Sequence, residues 1–130
     1  MRMLLVFVAM LVGVGLGWTA DYTRDTPYDI RTNVQMQKAI LLDVREQDEW
    51  NAGHLTLARL MSLSKLKDEK FAKNITMGLP KDKTIYIHCK SGARAAQAAD
   101  ILEKMGFKVA PVKQGYEDLL KAGFSKDEKK

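Results

Sequence analysis

The residue most able to do chemistry is Cys89, the only cysteine of the chain, in the stretch "HCKSGARAAQAADIL". It follows the apolar run "TIYI" and precedes an alanine-rich segment. A single cysteine cannot form an internal disulfide, so Cys89 is either a free thiol or an intermolecular one. The alternative is a small buried side chain with no chemical role, because free cysteine is among the most buried residue types.

The residues that follow Cys89 favour the chemical interpretation. If "TIYIH" ends a strand and a helix begins at Ala93, the backbone amides of the loop between them point inward and form an anion cradle. Such a cradle favours the nucleophilic thiolate and holds the oxygens of an anionic substrate beside the sulfur. Gly92 permits the tight turn and Ser91 adds a hydroxyl. Lys90 and Arg94 add positive charge. The predicted substrate-binding residues are Lys90, Ser91, Gly92, Ala93 and Arg94.

The surrounding pattern predicts the elements that position this loop. Apolar runs at 40–44, 84–88 and 107–112 predict strands, and Pro111 suits an edge strand. Helices are expected at 45–53, 64–75, 93–105 and 115–122. Gly53 and Gly106 are expected to end the first and third of these, and Ser62 or Ser64 to cap the second. The helix at 64–75 is expected to turn Leu63, Leu66 and Phe71 inward. A short helix from 34 to 40 is expected, with Thr32 or Asn33 as its cap.

Alternating strands and helices predict an α/β fold, a parallel sheet with helices on both faces. The length of 130 residues suits one domain. We expect a polar lead-in at 21–29, the folded domain at 30–124, and a charged, frayed tail at 125–130.

The first 20 residues are expected to direct export. Arg2 is followed by a wholly apolar run from Met3 to Gly17 and then by small residues, which is typical of a secretory signal peptide cleaved before Trp18 or after Ala20. An uncleaved membrane anchor is the alternative, since the run is close to the shortest span. The predicted location is therefore the periplasm, or the membrane if this segment stays attached.

Several classes of function lack support. The formal net charge of +5 is mild and forms no basic stripe with interleaved aromatics, so nucleic-acid binding is not expected. The two histidines and one cysteine are too scattered to suggest a metal site. No glycine-rich nucleotide fingerprint is present, and no cofactor is predicted.

Three segments, "LLDVREQDEWNAGH", "HCKSGARA" and "KQGYEDL", together resemble the rhodanese, or sulfurtransferase, domain over roughly residues 30–122. The positions that match the family pattern are Asp43, Arg45, Glu49, Trp50, Gly53, His54, Cys89 and Gly115. Two departures stand out. Residues 55–58 read "LTLA" where the family usually has Ile-Pro-Gly-Ala, and Gln114 replaces the first glycine of a Gly-Gly pair.

The resemblance implies an exported, single-domain thiosulfate sulfurtransferase in which Cys89 carries sulfur as a persulfide between a small anionic donor and a cyanide or thiol acceptor. The loop from Cys89 to Arg94 has the six-residue length of sulfur-transferring members. Related phosphatases use a loop one residue longer, with arginine where this chain has Ala95. Two other functions remain open: a persulfide carrier that delivers sulfur to a partner protein, and a non-catalytic binding module.

Other residues near the loop are expected to have supporting roles. Lys90 is expected to attract the donor, whereas Arg94 either does the same or ties the loop to Glu49. Asp43 and Arg45 are expected to brace the strand end by pairing. His54 is expected to be a hydrogen-bonded structural residue, and His88 a packing or orienting residue.

Overall fold

The computed structural model describes residues 20–127. The segment predicted as a signal peptide or anchor, residues 1–20, lies outside the described residues except for Ala20. No helix within residues 20–127 has the length and apolar character needed to cross a membrane. The elements are α1 (Pro27–Gln35), β1 (Ala39–Asp43), α2 (Gln47–Asn51), β2 (His54–Leu55), β3 (Ala58–Leu60), α3 (Leu63–Leu66), α4 (Glu69–Ile75), β4 (Thr84–His88), α5 (Ala93–Lys104), β5 (Lys108–Pro111), α6 (Tyr116–Lys121) and β6 (Lys126–Asp127).

A four-stranded parallel sheet in the order β3-β1-β4-β5 forms the centre, as the alternating pattern predicts. Strands β1 and β4 are central and almost wholly buried, which explains why the first four residues of β1, "AILL", are all apolar rather than alternating with polar ones. The strand β5 lies at the edge, where the missing amide of Pro111 is tolerated.

Two apolar clusters cover the two faces of this sheet, because successive side chains of a strand point to opposite faces. Ile40 and Leu42 point into a cluster completed by α3 and α5, whereas Ala39 and Leu41 point into one completed by α1 and α6. The predicted α/β fold with helices on both faces is therefore confirmed. The carboxyl ends of all four strands lie at one edge of the sheet, where the Cys89 loop begins.

The first helix lies earlier than the sequence pattern indicated. It begins at Pro27, and the side chain of Thr26 caps it by accepting from the Asp29 N–H at 3.2 Å. The expected helix from 34 to 40 with Thr32 or Asn33 as cap is wrong, because those residues lie inside α1 or beyond its end. Ile30 is completely buried, so the helix that begins in the predicted lead-in contributes to the core.

The expected single helix at 64–75 is also wrong. Ser62 is the N-cap of the short helix α3, and Asp68 interrupts the pattern by accepting from the Lys70 and Phe71 N–H groups to start α4. Leu63 and Leu66 are buried as expected, whereas Phe71 is 54% exposed. The break rotates Phe71 away from the face that the two leucines share.

The carboxyl-terminal segment is not frayed throughout. Lys126–Asp127 form β6, which pairs antiparallel with β2, and the Thr56 N–H donates to the Ser125 carbonyl at 2.9 Å. Phe124 is buried in the core just before this strand. The first part of the predicted charged tail is therefore ordered structure.

Candidate active site

Cys89 lies at the carboxyl end of β4, where the chain turns into α5. Its sulfur accepts hydrogen bonds from the Gly92 N–H at 3.0 Å and the Ala95 N–H at 3.4 Å, both measured from nitrogen to Sγ. The side chain is completely buried, so water screens these amide dipoles little. Of the predicted amides, that of Gly92 points at the sulfur, and the second donor, Ala95, lies one residue beyond the predicted set.

Gly92 gives the loop its shape. It is the N-cap of α5 and has φ +97°, in the left-handed region that glycine adopts without steric cost. Its carbonyl accepts a hydrogen bond from the Tyr22 hydroxyl at 3.1 Å. Residues before the first helix therefore contact the loop directly.

A second glycine lets another segment pack against the loop. A Cβ on Gly115 would lie 1.7 Å from the Lys90 carbonyl oxygen and 2.6 Å from its carbon. Immediately beside this contact, the Tyr116 N–H donates to the Cys89 carbonyl at 2.9 Å. The turn before α6 and the Cys89 loop are thus held in backbone contact, which only a residue without a side chain permits.

Arg94 pairs with Glu49 through both of its terminal nitrogens, and the NH2-to-Oε2 distance is 2.9 Å. The hydrogen bonds from Arg94 hold the pKa of Glu49 at about 2 and raise that of Arg94. Of the two roles predicted for Arg94, the geometry favours tying the loop to α2. The positive charge of Arg94 is balanced by Glu49, whereas the Lys90 side chain is exposed to solvent.

Asp43 and Arg45 pair as expected of residues that brace the strand end. The Arg45 guanidinium donates to both carboxylate oxygens of Asp43 and to the Gly53 carbonyl, and it stacks 4.1 Å from the centre of the Tyr116 ring. Both members of the pair are buried. They join the end of β1 to the loop after α2 and to the start of α6.

His88 lies behind the same pair. Its Nε2 is 3.6 Å from an Asp43 carboxylate oxygen, and its side chain is completely buried. Burial lowers the pKa of His88, although Asp43 opposes the shift. A buried neutral imidazole behind Asp43 is consistent with the predicted packing or orienting role.

The side chain of His54 contacts Trp50 and Asp127. Its ring stacks on Trp50 with centroids 3.5 Å apart, its Nδ1 is 3.1 Å from the Trp50 carbonyl, and its Nε2 is 3.4 Å from Asp127. These contacts fit a structural residue. Nothing places His54 in contact with the Cys89 thiol.

A cavity of about 280 Å³ opens beside the loop. Its lining residues come from four parts of the chain and are Arg45, Glu49, Ala52, Gly53, Lys90, Tyr116, Glu117 and Lys126. Ser91 and Ala93 are exposed on the loop. A larger cavity of about 540 Å³ lies at the start of β1, at the opposite end of the strands from Cys89.

Three residues that contact the loop or line the cavity were not predicted from the sequence as site residues. Tyr22 and Lys126 lie in segments expected to be a polar lead-in and a frayed tail, and neither stands in a local pattern that signals a site. Tyr116 lies inside the quoted "KQGYEDL", and its position directly after a turn glycine is the signal that could have found it. Within residues 20–127, no group of three or more His, Cys, Asp or Glu side chains is arranged to hold a metal ion.

Relatives of this chain are found among sulfurtransferases. The chain is 34% identical over 79 residues to a mitochondrial protein of Schizosaccharomyces pombe, covering 55% of this chain and 56% of that protein. It is 32% identical over 84 residues to thiosulfate sulfurtransferase 18 of Arabidopsis thaliana, covering 58% of this chain and 62% of that protein. The chain thus spans less than two thirds of the length of either relative.

A solved structure of similar fold is that of the human single-domain sulfurtransferase TSTD1. The two share a TM-score of 0.61 at 22% identity, over 75% of this chain and 97% of that one. The family model for the rhodanese-like domain matches residues 26–122. This match includes the cysteine loop, the Asp43–Arg45 brace and the Gly115 turn. The chain belongs to the rhodanese-like domain family.

Proposed function

We propose that this protein is a sulfurtransferase that moves sulfane sulfur from thiosulfate, or a similar anionic donor, to cyanide or a thiol through a persulfide on Cys89. The observation that carries the proposal is the pair of backbone amides, from Gly92 and Ala95, that point at the Cys89 sulfur. The kinship with the Arabidopsis thiosulfate sulfurtransferase supports it.

The first half-reaction follows from a stabilised thiolate. The Cys89 thiolate attacks the outer sulfur of thiosulfate, the sulfur–sulfur bond of the donor breaks, and sulfite leaves with the bonding electron pair. The negative charge of the resulting persulfide stays within the loop, where the amides that favour the thiolate favour it too. Because Glu49 balances Arg94, Lys90 is the loop cation that remains to attract the donor.

The second half-reaction regenerates the thiol. Cyanide, or a thiolate, attacks the outer sulfur of the persulfide, and Cys89 leaves as the thiolate that began the cycle. Since the Cys89 side chain is completely buried, either substrate reaches the sulfur only when the atoms between it and the cavity beside Lys90 move aside. Small linear or tetrahedral substrates fit this restricted access best.

Steady-state kinetics with thiosulfate and cyanide test the proposal. Thiocyanate should form with parallel double-reciprocal lines, because donor and acceptor react in separate steps. Cys89→Ser should abolish turnover while leaving the melting temperature close to that of the unaltered protein. Turnover that survives in Cys89→Ser would overturn the assignment of the nucleophile.

We also propose that residues 1–20 direct export to the periplasm, on the strength of the apolar run from Met3 to Gly17. Determining the amino-terminal sequence of the protein from fractionated cells tests this. A chain that begins near Trp18 or Asp21 in the periplasmic fraction is expected. A chain that retains Met1 in the membrane fraction would indicate an anchor, and one in the cytosol would overturn the export proposal.

A further inference from the structure

Lys126 reaches the cavity beside Cys89 from the carboxyl-terminal strand. Its side chain crosses Gly53, where a Cβ would lie 2.6 Å from the Lys126 Cε and 3.3 Å from its Nζ. Gly53 has φ +147°, a backbone conformation that glycine adopts readily. The same absent Cβ would lie 2.9 Å from the Tyr116 hydroxyl. Lys126 and Gly53 both line the cavity, and the Lys126 side chain lies over Gly53.

The segment that carries Lys126 is firmly attached. Leu55 and Lys126 are paired in the β2–β6 ladder, and the Thr56 hydroxyl donates to the Asp127 carboxylate at 3.0 Å. Asp127 also lies 3.4 Å from the His54 Nε2. The ladder and the two contacts of Asp127 hold the backbone at Lys126 beside β2.

The charges around the cavity leave two cations available. Arg45 is engaged by Asp43, and Glu49 is engaged by Arg94. Among residues 20–127, Lys90 and Lys126 make no ion pair with a carboxylate within 4.0 Å, and both side chains are exposed. The charged lining residues that remain are Lys90, Lys126 and Glu117, which together have a net charge of +1. An anion entering this cavity meets an ammonium group on each of two walls.

We propose that Lys126 is a donor-binding residue that acts with Lys90 to hold the anionic end of the sulfur donor, and so favours dianionic donors such as thiosulfate. This rests on the sulfurtransferase function proposed above. The rhodanese-like match ends at residue 122, so this cation is contributed by a part of the chain beyond the matched domain. The ordered tail would then set donor preference while the Cys89 loop performs the transfer.

Thiosulfate binding can be measured without sulfur transfer by titrating ¹⁵N-labelled Cys89→Ser protein and following its amide resonances. Adding Lys126→Gln should weaken binding about five-fold, the scale of one partly exposed ion pair. Lys126→Arg in place of Lys126→Gln should restore the affinity for thiosulfate. High salt should weaken thiosulfate binding more in the protein that retains Lys126 than in the Lys126→Gln protein. Lys108→Gln is the matched control, because Lys108 is an exposed lysine at the start of β5, away from the cavity.

The outcomes separate the two proposals. Equal affinity in the Lys126→Gln and Lys108→Gln proteins, or no thiosulfate binding at all, would overturn the role of Lys126. Binding that depends on Lys126, without sulfur uptake by protein that retains Cys89, would overturn the thiosulfate sulfurtransferase proposal and leave the anion site standing.

Discussion

Replacing Gly115 by alanine should damage both the stability of the protein and the proposed reaction. The new Cβ would lie 1.7 Å from the Lys90 carbonyl oxygen, whereas non-bonded atoms ordinarily stay about 3.5 Å apart. The obstructing atom is backbone, so no side chain can rotate out of the way. The loop and the turn must separate by roughly 1 to 2 Å, which also strains the hydrogen bond from the Tyr116 N–H to the Cys89 carbonyl.

The expected losses of stability and of reaction rate can be estimated from this displacement. Overpacking of a tight contact costs about 1 to 3 kcal/mol in the free energy of unfolding, and each kcal/mol lowers the melting temperature of a domain this size by about 4 °C. Moving a reacting group by about 1 Å slows a reaction by about 100-fold, so sulfur uptake by Cys89 should slow on that scale.

Calorimetry and the rate of sulfur uptake, followed by intact mass, check both effects. Gly78→Ala is the matched control, because a Cβ at Gly78 meets no atom within 4 Å; it should leave melting temperature and uptake unchanged. A Gly115→Ala protein indistinguishable from Gly78→Ala in both measurements would refute the argument that this contact positions the loop.

Two further predictions concern pH. The pKa of Glu49 is held at about 2 in the folded protein, so its stabilising contribution is present above its ordinary pKa of 4.5 and is lost as the pH falls toward 2. Glu49→Gln should remove this part of the acid sensitivity and lower the free energy of unfolding by about 1 kcal/mol at neutral pH. Denaturant unfolding at several pH values measures both effects, and an unchanged pH profile would contradict the ion pair. His88 has a lowered pKa because it is buried, so the unfolded chain binds a proton more readily and stability falls as the pH drops below about 6.5. His88→Gln should flatten that decline in the same experiment, and an equally steep decline would assign it to other groups.

Local sequence patterns were sufficient for the two central strands of the sheet. The stretch Ala39–Asp43 is short, mostly apolar and ends in a polar residue, and Thr84–His88 has the alternation of a strand; both form buried strands. The helix after Cys89 was equally predictable, because Ala95, Ala98, Ala99 and Leu102 share a face that the sheet covers. The position of Cys89 at the strand-to-helix junction followed from these elements alone.

Features that depend on distant contacts could not be predicted in this way. The strand at Lys126–Asp127 is polar, and it forms because residues 54–55 offer an unpaired edge far away in the chain. Similarly, only the folded structure reveals that Gly115 lies against the Lys90 carbonyl or that Tyr22 donates to Gly92. At the first helix, by contrast, Thr26 and Pro27 are a local start signal that the sequence interpretation passed over in favour of a helix at 34–40.

The most direct test of the central claim is the intact mass of the reduced, folded protein after incubation with thiosulfate alone. We expect a gain of one sulfur atom, which cyanide removes and which Cys89→Ser never acquires. An unchanged mass in the protein that retains Cys89 would contradict the claim that the Gly92 and Ala95 amides prepare this cysteine to accept sulfur from thiosulfate.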